Sequence, residues 1–194
     1  MQRYALELAH MLMQKDAKAL VVACNTVSSV ALPLLTRKFS VPVIGVIEPG
    51  ARAALQATRN QHVGVIGTRA TIRSGAHEKA LRATDNNVRV SSRACPLLVP
   101  LIEEGLLDDE VTDRVIVRYL EPLLADGIDT LVLGCTHYPL LSAAIARALG
   151  REITLVDSAR KLRDRSAGNV GSTIAALAGH RAWRAARRPH GCCR

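Results

Sequence analysis

Aromatic side chains are almost missing from this sequence: one Trp, one Phe and three Tyr among 194 residues. Any core must therefore be built from Leu, Val, Ile and Ala, and the 48% hydrophobic content is enough for one domain or two small ones. No apolar run approaches the ~18 residues a membrane span requires. The first residues carry Glu7 and Asp16 and lack the apolar stretch of a secretory signal. The five cysteines are an odd number, which argues against a disulfide framework. Neither a CxxC pair nor an HExxH occurs, so the common zinc spacings are absent and no metal is expected. A cytoplasmic protein with free thiols fits this set of absences.

Charge is also unevenly spread. The formal net charge is +9, but ten of the 26 Lys and Arg fall in residues 151–194, against three of the 17 acids. The basicity thus belongs to the end of the sequence. No RRM, zinc-finger or helix-turn-helix signature accompanies it, and a nucleic-acid partner is not expected.

What is present is an alternation of two periods. Residues 2–16 set Ala5, Leu8, Ala9, Leu12 and Met13 on one helical face. The run 19–23 reads as a buried parallel strand, and helical spacing returns from Thr26. A strand Val43–Ile47 precedes Glu48-Pro49-Gly50 and a further helix to about Thr58. Strands are then predicted at 62–66, 88–92, 130–134 and 152–156, with helices near 71–83, across 97–125 and near 139–149. Strands separated by helix-length segments imply βαβ units and a parallel α/β sheet. Residues 159–194 show little periodicity and read as a divergent basic tail.

Within this pattern one unit occurs twice. An apolar strand ends at Cys24 followed by Asn25 and Thr26, and another ends at Cys135 followed by Thr136 and His137. Ligands of open α/β sheets bind beyond the carboxyl ends of strands. A helix N-terminus there favours a thiolate and can hold a carboxylate. A lone Cys after a buried strand is ordinarily a small core hydrophobe. Two in matched polar surroundings suggest an acid/base pair shared by two pseudo-symmetric halves. Cys95, before Pro96, reads as core, and His137 alone reads equally well as a structural histidine.

Several segments resemble the glutamate racemases of the Asp/Glu racemase family. They are Ala23-Cys24-Asn25-Thr26, Val43-Ile-Gly-Val-Ile-Glu-Pro-Gly50, Gly64-Val-Ile-Gly-Thr68-Arg-Ala-Thr71, Ala94-Cys-Pro-Leu-Leu-Val-Pro-Leu-Ile-Glu103-Glu-Gly105 and Gly134-Cys-Thr-His-Tyr-Pro-Leu-Leu141. The resemblance implies an α/β fold of two pseudo-symmetric parallel-sheet αβα domains. Residues 1–46 would be the remainder of the first domain, joined by about 156–194, and residues 47–155 would form the second.

It also implies cofactor-independent interconversion of L- and D-glutamate, supplying D-glutamate for peptidoglycan. Cys24 would act on the D-enantiomer and Cys135 on the L-enantiomer, each as base in one direction and acid in the other. His137 would assist Cys135, and Glu103 would be an acid linked to the site, although a solvated acid is an equal reading. Asn25, Thr26, Thr68, Thr136 and His137 would hold the substrate. Glutamate is the implied partner, and a homodimer is compatible with the resemblance. Relatives in this family open with a strand carrying an Asp-Ser-Gly turn, followed later by a Tyr-Gly pair. Nothing upstream of Cys24 matches either, so the first domain is expected to be incomplete, with apolar strand edges exposed. The alternatives are an inactive racemase-derived fragment and a protein that binds through its basic tail.

Overall fold

Every apolar run marked as a strand forms one, and alternation along those strands decides which layer each side chain enters. The computed structural model describes residues 1–150 and 152–158. In chain order the elements are α1 (Gln2–Met13), β1 (Leu20–Val22), α2 (Asn25–Lys38), β2 (Val43–Gly45), α3 (Ile47–Ala57), β3 (His62–Gly67), α4 (Arg69–Ser74) and α5 (Ala76–Thr84). There follow β4 (Arg89–Ala94), α6 (Leu98–Glu103), α7 (Glu110–Ala125), β5 (Thr130–Gly134), a 3₁₀ turn (Tyr138–Leu141), α8 (Ser142–Leu149) and β6 (Thr154–Asp157). All pairings are parallel: β1 with β2 in one sheet, and the order β4-β3-β5-β6 in another.

Period-two alternation in β3 and β5 builds a three-layer arrangement around the larger sheet. Val63, Val65 and Val132 face α3 and α5, where they pack with Ala51, Ala54 and Leu81. Ile66, Leu131 and Leu133 face the opposite layer and pack with Leu98, Ile116, Leu120 and Ile145. Both central strands are buried along their whole length, hence their unbroken apolar character. With so few rings available, Tyr138 is the largest side chain among the fully buried ones. Its hydroxyl donates to the Cys95 carbonyl at 2.8 Å. A third cluster joins α1, α2 and the smaller sheet through Ala5, Ala9, Leu20, Ala31 and Leu35.

Several sequence expectations shift. In α1 only Ala5 and Ala9 are buried, whereas Leu8 and Leu12 are 59% and 50% exposed. The short alanine side chains let α1 lie close on α2, where Gln2 Nε2 donates to the Val30 carbonyl at 2.7 Å, and the leucines turn outward. The strand expected to reach Ile47 stops at Gly45, because α3 begins at Ile47 and takes in Pro49. A proline in the first helical turn gives up no intrahelical bond. The single helix expected near 71–83 is two helices, broken at Gly75 in the left-handed region (φ 63°). The helix expected near 139–149 opens with the 3₁₀ turn, and β6 starts two residues later than expected.

Val21, on β1, is 59% exposed, and β1 pairs with β2 alone among the described residues. The basic segment 159–194, and most of the stretch expected to rejoin the first domain, lie outside the described residues. No helix described is long and apolar enough to cross a membrane.

Candidate active site

The carboxyl ends of the strands converge on a polar cluster. Cys24 follows β1 and caps the N-terminus of α2 with an extended backbone (φ −76°, ψ 123°). Asn25 and Thr26 form the first turn of that helix, and both are buried. Thr68 follows β3 and caps α4, its Oγ1 accepting from the Thr71 amide at 3.2 Å. Cys135 follows β5 and is buried; Ser158 follows β6 and is also buried.

Three hydroxyls close a ring. Thr26, Thr68 and Thr71 have their Oγ1 atoms 3.0 Å apart in all three pairs. This ring joins α2, which rises from the smaller sheet, to α4, which rises from the larger one. Asn25 makes a second bridge. Its Oδ1 lies 3.1 Å from His77 Nε2 on α5 and accepts from Ser158 Oγ at 3.2 Å.

Cys135 has its own partners. His137 Nδ1 is 3.8 Å from Cys135 Sγ, and His137 Nε2 is 3.3 Å from Glu103 Oε1. A carboxylate only accepts, so it selects the Nε2–H tautomer of a neutral ring and leaves the Nδ1 lone pair facing the thiol. The chain Glu103–His137–Cys135 is therefore arranged to draw a proton from sulfur. Burial pushes the Cys135 thiol above its ordinary range; amides of His137 and Tyr138 pull it down, while charge on Cys24 and on Glu103 pushes it up. The sequence pointed to a thiolate favoured by a helix end, but here desolvation outweighs those amides.

Of the sequence candidates, Cys24, Asn25, Thr26, Thr68, Cys135, His137 and Glu103 come together at these strand ends. Thr136 lies beside them in an exposed turn. Cys95 is buried, and desolvation pushes its thiol up to about 12, which leaves it inert at neutral pH. Three residues escaped the sequence reading: Thr71, His77 and Ser158. Ser158 carried a usable signal, since it ends a strand as both cysteines do. His77 carried none, because only the break at Gly75 aims α5 at Asn25. Among the described residues no cluster of three or more His, Cys, Asp or Glu is placed to hold a metal ion.

A family model described as Asp/Glu/Hydantoin racemase matches residues 2–162. The glutamate racemase of Geobacter metallireducens is 55% identical over 159 residues, which cover 82% of this chain and 59% of that protein. Among solved structures, a glutamate racemase isoform of Bacillus anthracis superposes with a TM-score of 0.82 at 41% identity, covering 92% of this chain and 64% of that one. The Francisella tularensis glutamate racemase, solved with D-glutamate, gives a TM-score of 0.79 at 32% identity over 89% of this chain and 65% of its own. The chain thus spans about three fifths of the length of its sequence relatives.

Proposed function

We propose that this chain, which belongs to the Asp/Glu/Hydantoin racemase family, interconverts L- and D-glutamate by proton transfer between two cysteines without a cofactor. The chief support is the placement of two thiols at equivalent strand ends, near enough that charge on Cys24 raises the proton affinity of Cys135. Inversion needs a base on one face of the α-carbon and an acid on the other, and like groups serve both directions. One thiolate removes the α-proton, breaking a C–H bond and leaving a carbanion. The opposite thiol then gives its proton to the other face. The two sulfurs end with exchanged protonation, and the next turnover runs in reverse or after a proton reset.

In this reading Cys24 acts on the D-enantiomer and Cys135 on the L-enantiomer. Charge on Cys24 pushes the Cys135 thiol up, which stands against two thiolates at once; the reaction itself needs one thiol and one thiolate. His137, polarised by Glu103, accepts the Cys135 proton when that sulfur must act as base. Asn25, Thr26, Thr68 and Thr136 supply donors to the substrate carboxylates, and these donors also stabilise the developing charge. The product would serve as a D-amino acid building block for peptidoglycan in the cytoplasm.

The test is cofactor-free exchange of the glutamate α-hydrogen into deuterated solvent, followed by NMR. The full chain should exchange both enantiomers, and neither Cys24→Ala nor Cys135→Ala should racemise. Absence of exchange by the wild-type chain above the Cys24→Ala background would overturn the proposal.

A further inference from the structure

Asn25 is 1% exposed and adjoins Cys24, yet its amide is only half satisfied. Oδ1 accepts from Ser158 Oγ at 3.2 Å and lies 3.1 Å from His77 Nε2. Nδ2 is buried and has no hydrogen-bond partner. The ring beyond it is equally confined. His77 is 3% exposed, its Nδ1 is buried without a partner, and desolvation pushes its pKa down to about 4. The imidazole is therefore neutral at pH 7 and carries one N–H. An amide oxygen that already accepts from Ser158 needs a donor opposite it, which places that hydrogen on Nε2. Gly134 makes room for this contact. A Cβ there would come within 3.2 Å of His77 Nε2 and 2.6 Å of the Ile66 carbonyl oxygen.

We propose that His77 is a positioning residue for the substrate carboxylate: with Ser158 it pins Asn25 Oδ1, so that Nδ2 is kept free to donate to a carboxylate oxygen of the amino acid. A buried, unpaired N–H is costly and calls for an acceptor. In a zwitterionic amino acid the ammonium offers only donors, which leaves the carboxylate. His77 touches no reacting atom and acts through Asn25 alone. The inference rests on the racemase reading of the site and adds to it the means by which Asn25 is oriented.

Steady-state racemisation by full-length His77→Gln and His77→Leu chains tests it. The glutamine Nε2 replaces the lost donor and leucine does not. His77→Leu should raise KM for glutamate on the order of ten-fold, the loss of one hydrogen bond to a charged group, with kcat within about three-fold of wild type. His77→Gln should restore KM to within about three-fold. In an Asn25→Ala background His77→Leu should raise KM no further, because the contact it serves is gone. A folded His77→Leu chain with unchanged KM, or full additivity with Asn25→Ala, would overturn the role. A wild-type chain inactive in the exchange assay would overturn the racemase reading instead. In that event ¹⁵N NMR of the histidine rings still decides the His77 claim: a neutral Nε2–H ring at pH 7 is expected, and an Nδ1–H or charged ring refutes it.

Discussion

Asp129→Asn should destabilise the fold by on the order of 3 kcal/mol, and the loss should fade in acid. Asp129 precedes β5 and is nearly buried. Its carboxylate accepts from Thr58 Oγ1 at 2.6 Å and from the amides of Arg59 and Asn60 at 2.6 and 2.7 Å. These bonds tie the end of α3 and the approach to β3 onto the start of β5. The best orientation of asparagine keeps its oxygen on the two amides and turns its NH₂ to the Thr58 hydroxyl. No donor is then orphaned, but three charge-assisted bonds become neutral, at about 1 kcal/mol each. For a chain of this size that lowers Tm by roughly 6–12 °C.

Desolvation works to raise the Asp129 pKa, but the bonds from Thr58, Arg59 and Asn60 win and hold it below the ordinary carboxylate value. A depressed folded pKa contributes stability that is full above the unfolded value of ~3.9. That stability is lost as pH falls through the folded value. Thermal melts by circular dichroism should therefore show the wild-type advantage intact down to about pH 4 and shrinking below it. Superimposed melts at pH 7 would refute the argument, as would a gap that persists undiminished at the lowest pH where both chains still melt cooperatively.

Gly134→Ala should cost on the order of 2 kcal/mol, because the new Cβ meets the Ile66 carbonyl oxygen, which is backbone and cannot swing away; a chemical denaturation midpoint equal to wild type would count against this. Glu103→Gln keeps an acceptor near His137 but removes its charge. We expect proton abstraction from L-glutamate to slow by roughly ten-fold, read as the deuterium exchange rate, with exchange from D-glutamate less affected. Equal slowing from both enantiomers would place Glu103 outside the Cys135 half of the reaction. Thr71→Val removes one member of the hydroxyl ring at nearly constant volume, and should raise KM while costing about 1 kcal/mol in urea unfolding; unchanged values of both would mean that the ring does nothing.

Much of the architecture was legible because it rests on burial. Val63–Ile66 and Leu131–Leu133 are apolar on both faces since layers cover both, and such runs announce parallel strands. The paired cysteines were legible for a local reason, each being followed at once by its polar neighbours. Contacts between distant elements were not. Nothing around His77 in the sequence distinguishes it from any helical histidine, and its meaning arises only when Gly75 redirects the chain. Leu8 and Leu12 failed for a related reason. Helical spacing names a face, but the partner helix chose the narrow alanine stripe, because small side chains allow the closest approach. The length of β2 was misjudged because Val46 and Ile47 suit a strand as well as they suit the start of a helix.

The ring formed by Thr26, Thr68 and Thr71 has an arithmetic of its own. Three hydroxyls hold three hydrogens, and a closed ring uses all of them, circulating in one sense or the other with equal oxygen spacing. Before substrate arrives none is left over to give away. A carboxylate that takes a hydrogen from any member must open the ring, and the circulation then collapses from two degenerate senses to one fixed direction pointing outward. Binding thus exchanges an internal neutral bond for a stronger bond to an anion. The same event rewrites one of the two polar bridges that join α2 to the helices of the larger sheet, so a ligand of the wrong charge would leave that bridge as it found it.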